Sequence, residues 1–158
     1  MITIKRADYD RAEDAEAIIV LMDAYAQDPM GGGQPLSDYS RKNLATKLKQ
    51  HNAVTLLAWD GQRPVAILNA FFGFSTFACR PLLNVHDLAV LKNYRGRGLS
   101  RLLLTELESV GRNHDCCKLT LEVLSGNERA QAAYQSFGFS RYQLDPTQGQ
   151  AFFWEKKL

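Results

Sequence analysis

One stretch limits the folds open to this chain more than any other. Asn84 to Val90 is short, apolar apart from its first residue and the pair His86-Asp87, and partly β-branched, so it reads as a strand. Leu91 to Ser100 then carries Arg95, Gly96, Arg97 and Gly98, and from Leu99 the apolar residues fall at helical spacing through Leu102, Leu103, Leu107 and Val110. Two glycines one residue apart let the backbone turn sharply and approach a ligand closely. The helix after them aims unpaired N–H groups and the positive end of its dipole into the same loop. These are the parts of an anion cradle. They also make a plain strand-to-helix turn, and the loop by itself does not separate the two readings.

The rest of the chain supplies the sheet and helices that such a unit needs. Ile2 and Ile4 alternate with Thr3 and Lys5 as a half-buried strand, and Ala17, Ile18, Leu21, Met22 and Tyr25 mark a helix from about Asp10 to Ala26. Asp28 to Pro35, with three consecutive glycines, breaks regular structure and reads as a flexible loop before a second helix that starts near Ser37 or Asp38 and ends before His51-Asn52. Val54–Trp59 and Val65 to about Thr76 form a hairpin around Asp60-Gly61. After the third helix, Leu99 to about Asn113, a strand spans Lys118–Leu124, and a fourth helix runs from Glu128 to Phe137 and stops at Gly138. Short strands near Ser140–Leu144 and Ala151–Lys156 close the chain. The expected architecture is a single α/β (α+β) domain over residues 1–158, a mixed sheet covered by helices on both faces.

Composition narrows the partners. The chain has 158 residues and a net charge of +2, and its one local basic cluster, Lys92, Arg95, Arg97 and Arg101, coincides with the glycine loop. A small anion suits that cluster better than a nucleic acid, which needs a concentrated basic surface. Cys79, Cys116 and Cys117 are an odd set with two adjacent, which suits reduced thiols in a cytoplasm. No metal-ligand spacing occurs, and no stretch reaches the length of a membrane span or a leader. The expectation is a cytoplasmic protein with no metal, no nucleic-acid partner and no membrane partner.

A second constellation lies at Asn127-Glu128-Arg129-Ala130 and Tyr134 to Phe139. Asn127 opens a helix, and Ala130, Tyr134 and Phe137 share one stripe, so Tyr134 taken alone reads as a core aromatic, while with Asn127 it could also line one side of an elongated ligand. Together the two constellations resemble the GNAT N-acetyltransferase superfamily. Arg95-Gly96-Arg97-Gly98-Leu99-Ser100 is similar to that family's acetyl-CoA pyrophosphate loop, with Ser100 where Gly or Ala is usual, and Asn127 to Phe139 resembles its second motif. The resemblance implies the GNAT fold, with a mostly antiparallel sheet of six to seven strands opened by a splayed central V. It implies acetyl-CoA as cosubstrate, the backbone of Leu88, Ala89 and Val90 against the pantetheine arm, the amides of Arg95, Gly96, Arg97, Gly98, Leu99 and Ser100 at the pyrophosphate, and Asn127 on the pantetheine arm. Tyr134 would be the general acid for the leaving thiolate.

Direct transfer needs a neutral amine, whereas a free alkylamine titrates near about 10. His86 and Asp87 are the candidate proton acceptors, set on opposite faces if their strand alternates regularly. A narrower resemblance, through Phe74-Ser75-Thr76-Phe77, Arg80, His86-Asp87-Leu88-Ala89-Val90 and Tyr94 to Gly98, is to the diamine acetyltransferase branch, which usually has Glu at the position of His86. It implies a small-molecule primary amine as partner (a polyamine, a diamine or an amino-acid-like amine) and a homodimer; Asp23, Asp28 and Asp38, near the glycine-rich loop, read either as acidic contacts for that amine or as solvated helix-end and turn residues. The competing functions are transfer to a protein or peptide amine and a non-catalytic acetyl-CoA-binding regulator.

Overall fold

Five strands form one sheet in the chain order β1 (Ile2–Arg6), β2 (Val54–Asp60), β3 (Arg63–Ser75), β4 (Arg80–Val90) and β5 (Leu119–Leu121). Successive pairs are antiparallel except β4–β5, which is parallel and is joined through the helix α3 (Leu99–Asn113). The computed structural model describes all 158 residues, in two units, Met1–Leu121 and Glu122–Leu158.

In the first unit, helices α1 (Ala12–Gln27) and α2 (Asp38–Gln50) bury Ala17, Ile18, Leu21 and Leu48 with Leu57, Trp59 and Ile67 of the sheet. Leu99, Leu103, Leu104 and Leu107 are the buried leucines of α3. The interior strand β2 is buried from Val54 through Trp59 without alternation, the pattern of a strand covered on both faces. Each fully buried leucine or isoleucine here stabilises the fold by about 1.5–3 kcal/mol relative to exposure. Ser37 begins α2 by accepting from Ser40 N at 3.1 Å. No helix is long and apolar enough to cross a membrane.

Two features of the sheet decide the surroundings of Asp87. β5 pairs with β4 only over Leu83–Val85, while β4 continues through His86–Val90 paired to β3 alone. The outer backbone edge of those five residues therefore faces no strand. The register between β3 and β4 also slips once: Asn69 lies opposite Asp87 and Ala70 opposite Val85, so His86 is the extra residue of a β-bulge.

The second unit is built on α4 (Glu128–Phe137), capped by Asn127 and closed by Gly138 at φ 118°. Two expected strands are absent, so the sheet has five strands and not six or seven. The stretches near Ser140–Leu144 and Ala151–Lys156 share one long backbone hydrogen bond, Ala151 N to Tyr142 O at 3.5 Å, around a 3-10 turn at Pro146–Gln148. Phe152, Phe153 and Trp154 are 77–84% exposed. Aromatic side chains stabilise a strand only when at least one of its faces is covered, and all three of these consecutive rings are exposed.

Candidate active site

The glycine loop has the geometry of an anion cradle. Gly96 and Gly98 sit in the left-handed region at φ 79° and 77°, and Gly98 caps α3 with no side chain closing the first turn. The Leu102 amide donates to Gly98 O at 3.1 Å, and the amides from Gly96 to Ser100 precede the first intrahelical donor of α3, so they are placed for a ligand. A Cβ placed on Gly98 would meet no atom within 4 Å, so the loop opens onto free space. The arginines frame it from outside. Arg97 donates to Asn93 O at 3.0 Å with its guanidinium 4.8 Å from the Tyr94 ring centre. Arg95 donates to Val90 O at 3.0 Å and pairs with Asp28 at 2.8 Å. These residues fit a pyrophosphate, and the unpaired edge at Leu88, Ala89 and Val90 leads from the loop towards Asp87.

The bulge changes what His86 and Asp87 do. A regular strand would turn them to opposite faces, yet the extra residue puts both on the α1 side. His86 is exposed, its ring edge-on to Phe71 at 5.5 Å, and Phe71 packs on the α1 core. Asp87 is half-buried and accepts from Asn69 Nδ2 at 3.0 Å, and Asn69 also reaches Met22 of α1. Burial pushes the Asp87 carboxyl above the ordinary carboxylate range, against the lowering effects of the Asn69 hydrogen bond and His86. The Tyr25 hydroxyl of α1 is raised by burial and then by the negative charges of Asp87 and Asp28.

Asp23 and Asp28 are engaged within the chain. Asp23 accepts from Leu36 N at 2.9 Å, Arg41 at 2.6 Å and Gln27 at 2.7 Å. Asp28 accepts from Met30 N at 2.9 Å as well as from Arg95. Arg95 and the Met30 amide hold its carboxyl below the usual range, and the Leu36 amide with Arg41 does so for Asp23. The three-glycine loop is thus pinned at both ends and is not the free coil its composition suggests.

In the second unit, Asn127 Oδ1 accepts from Ala130 N at 3.2 Å and Tyr134 is half-buried, 5.9 Å from the Phe139 ring. Ala130, Tyr134 and Phe137 are shielded while Glu128, Arg129 and Gln135 are exposed, which is the expected stripe. Sequence reasoning missed Thr55 and Asn69, buried to 0% and 1%, and Tyr9, which donates to Thr55. Their signal was a polar residue inside an apolar strand, as in Val54-Thr55-Leu56 and Leu68-Asn69-Ala70. No group of three or more His, Cys, Asp or Glu gathers as a metal site.

Comparison with known proteins agrees with this arrangement. Residues 18–139 match the acetyltransferase (GNAT) family. N-alpha-acetyltransferase RimI of Mycobacterium tuberculosis is 32% identical over 143 residues, 89% of this chain and 78% of that protein. Thialysine N-epsilon-acetyltransferase of Bos taurus is 31% identical over 68 residues, 43% of this chain but only 39% of that protein. An uncharacterised Mycobacterium leprae protein is 38% identical over 88 residues, which are 24% of its length. The chain therefore matches well under half the length of these last two. Among solved structures, an aminoglycoside acetyltransferase from an uncultured soil metagenomic sample has a TM-score of 0.78 at 18% identity, covering 99% of this chain and 97% of that one. By its family match, its long alignment with RimI and its fold, this chain belongs to the acetyltransferase (GNAT) family.

Proposed function

We propose that the chain is an acetyl-CoA-dependent N-acetyltransferase that acetylates a primary amine of a small molecule by direct attack within a ternary complex. The observation that carries the reading is the bulge-set Asp87 carboxyl on the unpaired end of β4, the strand that runs into the uncapped glycine loop. Acetyl-CoA supplies a thioester carbonyl open to an amine. The amides of Gly96 to Ser100 bind its pyrophosphate, the Arg95 and Arg97 side chains add positive charge at the rim, and the free edge of Leu88, Ala89 and Val90 aligns the pantetheine arm. Asn127 keeps two amide hydrogens for the same arm, since its oxygen is engaged in the cap. Asp87 accepts the proton of the incoming ammonium, directly or through one water, and His86, exposed beside it, is the second acceptor. Tyr134 donates its hydroxyl proton to the departing thiolate.

Asp23 and Asp28, already neutralised by Arg41 and Arg95, leave Asp87 as the main acidic contact, which favours a mono-amine or amino-acid-like acceptor over a long polyamine. The pinned loop borders Asp87 through Tyr25, which favours a small acceptor. Transfer to a peptide amine is the second reading, supported by the length of the RimI alignment. Thiol release with acetyl-CoA and a panel of thialysine, lysine, spermidine and an alanine-terminated peptide separates them. Turnover with a small amine well above that with the peptide is expected, the reverse order moves the assignment to peptides, and silence with every amine sinks it.

Tyr134→Phe is expected to lower kcat about tenfold and leave the KM for acetyl-CoA within about twofold. The effect is modest because a thiol titrating near about 8.5 leaves readily as thiolate. Loss of cosubstrate binding with unchanged kcat at saturation would remove Tyr134 from the acid role.

A further inference from the structure

Asp87 stands at the end of a row of polar groups buried across three strands. Thr55 on β2, Asn69 on β3 and Asp87 on β4 are direct register partners. Tyr9 Oη lies 2.9 Å from Thr55 Oγ1, Thr55 Oγ1 2.7 Å from Asn69 Oδ1, and Asn69 Nδ2 3.0 Å from Asp87 Oδ2. The fold has placed a threonine and an asparagine where β2 and β3 are otherwise apolar on both sides. Two such groups in a sheet interior are tolerated only when each finds its partner.

The direction of every bond in the row is set by its last member. An ionised Asp87 can only accept, so Asn69 must turn its Nδ2 to it. That leaves Asn69 Oδ1, which also only accepts, facing Thr55, so the Thr55 hydroxyl must donate. Thr55 Oγ1 is then an acceptor towards Tyr9, whose hydroxyl has Ala53 O at 2.8 Å as its alternative acceptor. The Thr55 and Asn69 donors point the same way, towards Asp87, and Tyr9 joins them when its one hydrogen turns from Ala53 O to Thr55; bonds aligned in this sense polarise one another in a low-dielectric interior. Without the Thr55 hydroxyl the Asn69 amide loses one of the two partners that hold this orientation, and the flipped amide, which would set an oxygen against the carboxylate, becomes less costly.

We propose that Tyr9, Thr55 and Asn69 form a one-way hydrogen-bonded chain that keeps Asp87 ionised and in a fixed orientation, with Thr55 and Asn69 as positioning residues for the proton acceptor. The assignment of Asp87 as that acceptor rests on the function proposed above. The chain itself does not. Besides Asn69, the groups facing Asp87 are His86 on its own strand and, from α1, Tyr25 and the Met22 sulfur that shares Asn69 Nδ2.

The experiment is a pH titration of the Asp87 carboxyl carbon by NMR in aspartate-labelled full-length protein, the signal being assigned by its loss in Asp87→Asn. Thr55→Val and Asn69→Leu are expected to raise the midpoint by about half a pH unit to one unit, Tyr9→Phe by less, and Thr55→Ser to leave it near the parent value. Repeating the series with His86→Gln removes the neighbouring imidazole from the comparison. The acid limb of kcat/KM should move by the same amount, with kcat on the alkaline plateau kept within about threefold. A merely structural role would lower the plateau without moving either midpoint. An unchanged Asp87 midpoint in both Thr55→Val and Asn69→Leu overturns the proposal. If instead the midpoints move and Asp87→Asn still turns over at the parent rate, the chain stands and the reading of Asp87 as proton acceptor falls.

Discussion

Asp87→Asn is expected to lower kcat/KM by about 10²- to 10⁴-fold while leaving the protein at least as stable at neutral pH as the parent. The two effects share one cause. The carboxyl is raised above the usual range by burial, so the folded state favours its protonated form. Its ionisation then opposes folding: the parent's stability relative to the variant declines as pH rises from about 3.9, the unfolded value, to the higher folded value, and is level above that. Asparagine matches the shape, carries no charge, and still offers an oxygen to Asn69 Nδ2. Urea denaturation of both proteins between pH 4 and 8 reads this directly. The rate has the opposite dependence, because the acceptor must be ionised, so kcat/KM falls as pH drops through the folded value. His86→Gln provides the comparison. A loss larger in His86→Gln than in Asp87→Asn would transfer the role to the imidazole.

Gly98→Ala is expected to raise the KM for acetyl-CoA about 10- to 100-fold with kcat at saturation within a few-fold of the parent. Left-handed backbone strain accounts for a loss of about 1 kcal/mol in stability. The binding loss has a separate origin. The protein itself leaves a Cβ at Gly98 unobstructed, so the added methyl projects into the space from which an anion would approach the α3 amides. Gly61→Ala is the control for strain alone: Gly61 has φ 59°, is equally unobstructed, and belongs to the β2–β3 turn and not to the amides that open α3. Equal KM values in the two variants would show that the Gly98 loop does not hold the cosubstrate. Urea midpoints measured alongside establish that both variants are folded.

Features written in local chemistry were legible in the sequence. Gly96 and Gly98 announced positive φ, Leu99 to Leu107 announced the buried stripe of α3, and Asn127 and Gly138 announced the two ends of α4. Features decided by a distant partner were not. Val85-His86-Asp87 reads as plain alternation, because a bulge exists only relative to the strand it pairs with, and that register is settled by β3. The roles of Thr55 and Asn69 were hidden for the same reason, since their partners lie on other strands. Conversely, the aromatics after Ser140 carry strong strand propensity and no strand, because propensity needs a surface to cover.

The contact between Arg95 and Asp28 ties the glycine loop to the three-glycine segment. A single guanidinium belongs at once to the rim of the anion loop and to the anchor of the three-glycine segment, 67 residues earlier in the chain. Whatever an arriving phosphate does to that guanidinium is therefore felt by the segment bordering Tyr25 and Asp87. Thermodynamic reciprocity fixes the rest: the factor by which the first ligand alters the grip on the second is the factor by which the second alters the grip on the first. On the proposed reading, the coupling between cosubstrate and acceptor then runs through one ion pair.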